Sequence, residues 1–257
     1  MKDIKNITLL VVIISTMVGS YFFLNKKNPA RQHVESIDTI IIGTNAEYPP
    51  FSSIKNGEIA GLDIDIAEQV CARLNKKYVL QDKPFDALVP ELQLGTVHMV
   101  AAGMTPTKQR ERQVFFTTPY FKGDSLLIIS PKLAPISNVE ELTDKTVVVN
   151  EGFTADRYIS SLTGPKVQRF PAVSEGFLAL KSGRVDAFIS AESSVQEYFK
   201  RYSKDDFNIV KIEGQSEEYS LAVSKKYPVL FADINKVIGD MLEDGTIAQL
   251  LKKWNIS

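Results

Sequence analysis

Short β-branched runs alternate with amphipathic stretches along most of this chain, and the alternation starts twice. Residues 39–44, 77–81 and 97–101 are apolar runs of strand length. Between them, residues 63–74 set Ile66, Val70 and Leu74 on one helical face with Ala67 and Cys71 beside them, and residues 85–95 form a second helical stretch ending at Gly95. Strands alternating with helices imply parallel sheets built from crossover units. A strand at 125–130 leaves this first series and Pro131 to Pro135 breaks the pattern. A second series then runs through helix 139–142, strand 146–149, a helix opening at 151–155, strand 167–170, helix 174–182, strand 186–190 and helix 192–201. Strands at 209–212 and 219–223 follow, the latter carrying the chain back to the first unit. Two helical stretches, 229–242 and 246–254, separated by Asp244-Gly245, then cover that unit. Two crossings between two units make a hinge.

The chain has 257 residues, 44% of them hydrophobic and 24% charged, which suits two small lobes with a core each. Its net charge of −1 and the lack of a long basic run interleaved with aromatics argue against nucleic-acid binding. The start differs from the rest: Lys2 and Lys5 precede an apolar run from Ile7 to Leu24. Residues 1–24 are therefore expected to be an export signal, cleaved after Ser20 or retained as an anchor, and residues 25–37 a polar tether. The single cysteine, Cys71, allows neither an internal disulfide nor lipid attachment after the apolar run, and reads as a small core residue.

Local chemistry concentrates in residues 101–121. After the strand, Gly103 permits close approach of another group, and Thr105-Pro106 reads as a helix start, with a hydroxyl cap and proline at the first helical position. Arg110, about one turn on, can reach back to the same spot with a planar two-pronged donor. Backbone N–H groups, a hydroxyl and a guanidinium together predict a carboxylate socket. Asp63 and Asp65 read as caps of the helix they open, not as a metal pair. His98 reads as a half-buried strand residue, and Trp254 as packing.

That stretch, taken with Gly43-Thr44-Asn45-Ala46-Glu47-Tyr48-Pro49-Pro50-Phe51, Gly61-Leu62-Asp63-Ile64-Asp65-Ile66-Ala67, Phe85-Asp86-Ala87-Leu88-Val89-Pro90 and Gly183-Arg184-Val185-Asp186-Ala187, resembles the family 3 extracellular solute-binding proteins, the amino-acid receptors of ABC importers. The resemblance implies an α/β fold of the type II periplasmic-binding-protein kind: two lobes, each a mainly parallel sheet flanked by helices, joined by a two-strand hinge. Lobe one would comprise residues 38–124 and 218–257, and lobe two residues 125–217.

Carried over position by position, the resemblance assigns Gly103, Thr105 and Arg110 to a ligand α-carboxylate, with Thr154 closing on it from lobe two. The family's aspartate for the α-ammonium is replaced here by Ala191, and the adjacent Glu192 has the reach to supply the charge. Asn45, Glu47, Tyr48 and Phe85 would line the side-chain pocket. Two aromatic faces and a carboxylate suit a guanidinium or alkyl-ammonium, so arginine is favoured, then lysine or ornithine. The implied function is an extracytoplasmic, periplasmic receptor, monomeric, that closes on a free amino acid and delivers it to an ABC permease in the inner membrane. No catalytic residue, metal or cofactor is expected. The competing readings are an enzyme similar to cyclohexadienyl dehydratase, with Glu47 or Glu192 as its acid, and a tethered surface or sensory binding protein.

Overall fold

The computed structural model describes residues 37–256. The leader expected at 1–24, and the tether at 25–37 except for its last residue, lie outside them.

In chain order the first elements are β1 (Thr39–Thr44), β2 (Glu47–Tyr48), β3 (Ser52–Lys55), β4 (Glu58–Ala60), α1 (Leu62–Arg73) and β5 (Lys77–Asp82). A single 3-10 turn, Phe85–Ala87, leads into α2 (Leu88–Leu94), then β6 (Met99–Val100), α3 (Lys108–Gln113) and β7 (Phe115–Phe116). The second series contains β8 (Phe121–Pro131), β9 (Thr146–Asn150), α4 (Thr154–Ser160), β10 (Lys166–Phe170), α5 (Val173–Lys181), β11 (Ala187–Ala191), α6 (Glu192–Arg201) and β12 (Phe207–Tyr219). The chain ends with β13 (Ala222–Val223), α7 (Pro228–Glu243) and α8 (Thr246–Lys253).

The strands form two five-stranded sheets, ordered β5-β1-β6-β13-β7 and β10-β9-β11-β8-β12, one in each lobe, and β2-β3-β4 make a small meander beside the first. In each sheet the inner ladders are parallel: β1 with β5 and β6, and β9 with β10 and β11. The returning strands β13, β8 and β12 pair antiparallel. Ile40, Ile42, Leu88, Val97 and Val100 are fully buried in the first core, each worth roughly 1.5–3 kcal/mol relative to exposure. Val147, Val149, Ile159 and Ile189 belong to the second.

Helix α1 buries Ile66, Ala67, Val70 and Cys71, as its spacing predicts. It packs against α7 and α8. Neither Asp63 nor Asp65 caps it, contrary to expectation; Gly61 precedes it with no side-chain cap. A Cβ at Gly61 would lie 1.9 Å from Phe51 O, so the meander passes too close for any side chain there. The completely buried Asp63 reaches across to Gly103, while Asp65 accepts hydrogen bonds from Trp254 Nε1 at 2.5 Å and Lys253 Nζ at 2.7 Å.

The crossings also differ from the sequence expectation. Strand β8 begins at Phe121 instead of 125, and β12 is one strand of 13 residues paired with it from Phe207↔Pro131 to Tyr219↔Phe121. Its register shifts between Lys211 and Ser216 and again between Glu217 and Glu218. Those irregularities hide the strand from a period-two reading. The two crossing segments are thus hydrogen-bonded side by side up to the first sheet, where Tyr120 N–H donates to Tyr219 O at 2.9 Å.

Candidate functional site

The loop after β1 supplies three of the expected residues. Asn45 is buried, its Nδ2 donating to Lys83 O at 3.2 Å, while its Oδ1 is buried without a hydrogen-bond partner among the described residues. Glu47 stands exposed at the cleft mouth, where partial burial, then Asp82 and then Glu175 raise its carboxyl above the ordinary range. Tyr48 is buried, and its hydroxyl lies 2.8 Å from the Tyr219 hydroxyl. Tyr219 in turn donates to Asp124 Oδ2 at 2.7 Å, so Tyr48 is the donor in the first of these bonds.

The stretch after β6 folds as an extended run before α3. Gly103 has φ +54°, and a Cβ there would sit 2.7 Å from Tyr48 Cε1. Its N–H donates to the Asp63 carboxylate, which also accepts from the Tyr120 hydroxyl at 2.7 Å. Burial still pushes the Asp63 carboxyl up to about 6, although both bonds favour its charged form. Helix α3 starts one turn-half later than expected: its cap is Thr107, whose Oγ1 accepts from Arg110 N at 3.2 Å. Thr105 cannot cap, because its carbonyl accepts from Arg110 Nη1 at 2.8 Å and its hydroxyl donates towards Glu217 Oε2 at 3.4 Å.

Arg110 is 2% exposed and lies with its guanidinium 5.2 Å from the Phe85 ring centre. Its Nη2 crosses the cleft to Gly152 O at 3.0 Å. Burial, and then Arg157 nearby, bring its pKa down to about 10, with Glu217 acting in the opposite sense.

From the second lobe, the β9–α4 turn brings Gly152, Phe153 and Thr154 into this space. Gly152 has φ +76°, and a Cβ there would meet Asp86 Cβ of the first lobe at 3.1 Å. Thr154 opens α4 and donates its hydroxyl to Glu217 Oε1. The Phe153 ring, 6% exposed, is stacked on Phe85 at 4.0 Å between centres and tilted against Tyr48 at 5.1 Å. The structure therefore brings Tyr48, Phe85, Gly103, Thr105, Arg110 and Thr154 together, with Asn45 and Glu47 at the neighbouring loop.

Glu192 is not part of that gathering. It lines a groove of about 850 Å³ at the hinge side of the cleft, with Gly123, Lys200 and Trp254, and pairs with Lys211 Nζ at 2.7 Å. The Glu192 carboxylate is thus directed to Lys211 on β12, and Ala191 itself is buried.

Four residues that the sequence did not single out complete the site: Phe153, Asp124, Glu217 and Tyr219. Asp124 and Glu217 face each other across the β8–β12 ladder. Asp124 accepts from Ser193 N at 3.0 Å, from the Ser193 hydroxyl and from Tyr219, yet burial raises its carboxyl above the usual range. Glu217, 4% exposed, is pushed up to about 8 by burial and then by Asp124. Its one sequence signal is the two-residue spacing to Tyr219, which puts both side chains on one face of a strand.

The family model described as bacterial extracellular solute-binding proteins, family 3, matches residues 40–257. The putative ABC transporter arginine-binding protein 2 of Escherichia coli (strain K12) is 30% identical over 225 residues, covering 84% of this chain and 90% of that protein. Among solved structures, a mutant of ArgBP from T. maritima matches with TM-score 0.80 at 32% identity, covering 88% of this chain and 98% of that one. An ancestral arginine-binding protein bound to arginine matches with TM-score 0.79 at 35% identity, covering 84% and 98%.

Proposed function

Because this chain belongs to the bacterial extracellular solute-binding proteins, family 3, we propose that it is an extracytoplasmic receptor that closes on a basic amino acid, arginine before lysine or ornithine, and presents it to an ABC permease. The observation that carries this reading is the convergence of two hydroxyls from opposite lobes, Thr105 and Thr154, on one carboxylate beside Arg110. The Glu217 carboxyl group takes that place here, and a ligand's α-carboxylate fits the same donors. A site whose donors come from both lobes is complete only when the cleft is closed, which is how a ligand favours closure.

The pocket favours a cationic side chain. Tyr48 and Phe85 offer two aromatic faces, between which a guanidinium can replace the Phe153 ring. Asn45 Oδ1 is an unpaired acceptor for one of its N–H groups, and Glu47, Asp82 and Glu175 make the mouth acidic. The arginine-binding relatives in Escherichia coli and among the solved structures support the same ligand. On this reading lobe one comprises residues 38–124 and 218–257, lobe two residues 125–217, the apolar leader directs export, and the protein works as a monomer. Capture and release require no chemical step, so we read the protein as a binding protein and not an enzyme.

One observation favours the dehydratase-like alternative: Glu217 is a buried acid held near the operating pH. Both readings are tested by calorimetric titration of the protein, stripped of carried ligand, with a panel of amino acids and with prephenate. Arginine is expected to bind most tightly, Arg110→Ala to weaken it at least about a hundred-fold, since a charge-assisted bidentate contact is worth about 3 kcal/mol, and prephenate to be left unconverted. Normal arginine binding by Arg110→Ala would overturn the site.

A further inference from the structure

Ala191 leaves the α-ammonium of an amino-acid ligand without its expected carboxylate, and Glu192 is paired with Lys211 at 2.7 Å outside the pocket. The ammonium of a bound α-amino acid sits next to its carboxylate, so its partner must lie beside the carboxylate donors. Three other carboxylates buried in this region are already committed. Asp63 holds Gly103 and Tyr120, Asp124 holds Ser193 and Tyr219, and Asp156 pairs with Arg169 at 3.0 Å. Glu217 differs. It is almost completely buried, it accepts hydrogen bonds from the hydroxyls of Thr105 and Thr154, and no ion pair to it is found among the described residues.

We propose that Glu217, delivered from the crossing strand β12, is the residue that binds the ligand's α-ammonium in this protein. This assignment rests on the reading of the ligand as an α-amino acid. When the ligand enters, its carboxylate takes the Thr105 and Thr154 hydroxyls with Arg110, and Glu217, released from them, pairs with the adjacent ammonium. Beside Glu217 the ladder takes up an extra β8 residue, Gly123, between Asp124 and Lys122, and Glu218 stays with Lys122 at the surface.

Protons follow the ligand. Glu217 faces Asp124 across the ladder, Tyr219 on its own strand, Tyr48 from β2 and Arg110 from α3. Burial and Asp124 keep its carboxyl protonated near pH 7, and an arriving ammonium favours the ionised form. Binding therefore releases a proton from Glu217, and affinity rises between pH 6 and pH 8.

The test is titration of the full-length chain and its Glu217→Gln variant with arginine and with the des-amino analogue of arginine, in two buffers of different ionisation enthalpy at pH 7. The unsubstituted protein is expected to prefer arginine over the analogue by at least ten-fold and to release close to one proton with arginine. Glu217→Gln is expected to lose most of that preference and the proton release, while Glu218→Gln keeps both. Arginine binding that is unchanged or tighter in Glu217→Gln would overturn the assignment, and would show Glu217 to be only a stand-in for the ligand's carboxylate. Failure of the unsubstituted protein to bind any α-amino acid would overturn the amino-acid reading, and this assignment with it.

Discussion

Phe153 stands where a ligand side chain would stack, with Phe85 on one face at 4.0 Å and Tyr48 on the other at 5.1 Å. On the proposed reading, two aromatic pairs at about 1 kcal/mol each are broken when arginine enters. Phe153→Ala is therefore expected to bind arginine roughly thirty-fold more tightly by calorimetry, while the free protein loses about 3 kcal/mol in a denaturant melt from the cavity left behind. Single residues divide by how local their meaning is. Gly103, Thr105 and Arg110 could be read as a socket because they lie within eight positions of one another and share one turn of chain. Glu217 could not, since its role depends on pairing with Asp124, 4% exposed and distant in sequence. Glu192 pairs with Lys211, a partner on β12 that the local sequence around Ala191 does not reveal.

Among the elements, α3 is the one on which the site depends most. It is six residues long, too short to persist without its cap, and it carries Arg110 at the position whose N–H the Thr107 hydroxyl accepts. Thr107→Ala is expected to cost about 1 kcal/mol in a thermal or denaturant melt, and to weaken arginine binding a few-fold because the guanidinium loses its fixed base. The sequence offered two threonines around Pro106 and propensity alone favours the first. Tertiary demand decides otherwise, by using the Thr105 carbonyl to hold Arg110. Strand β12 is a parallel case. Its polar middle, Glu213 to Ser216, conceals continuity that the paired β8 supplies. By contrast β1, α1, β9 and β11 were legible, because each buries an unbroken apolar pattern.

The whole molecule carries a cost for keeping acids inside. Asp63 and Glu217 have folded-state pKa values pushed to about 6 and about 8, above the ordinary 3.8 and 4.5 they regain on unfolding. Between those limits the folded protein binds more protons than the unfolded chain, so stability is fully present below about pH 4 and declines as pH rises through 8 from these groups. The melting temperature of the free protein is expected to be lower at pH 8 than at pH 5.5, with Glu217→Gln showing a flatter profile and arginine restoring part of the loss at pH 8. A profile that rises to pH 8 would exclude a buried neutral acid at this position. The two-lobed plan itself was legible from the restart of the strand-helix alternation after Pro135. What was not legible is that the lobes meet through Arg110, Phe153 and Glu217.

Trp254 is the single tryptophan of the chain, and it lines the groove between Pro50 and Lys55 of the first lobe and Glu192 and Gln196 of the second, with the Lys55 ammonium 4.4 Å above its ring. The indole is the one tryptophan of the chain and lines a groove shared by both lobes, so its fluorescence is expected to report a change of that groove's width.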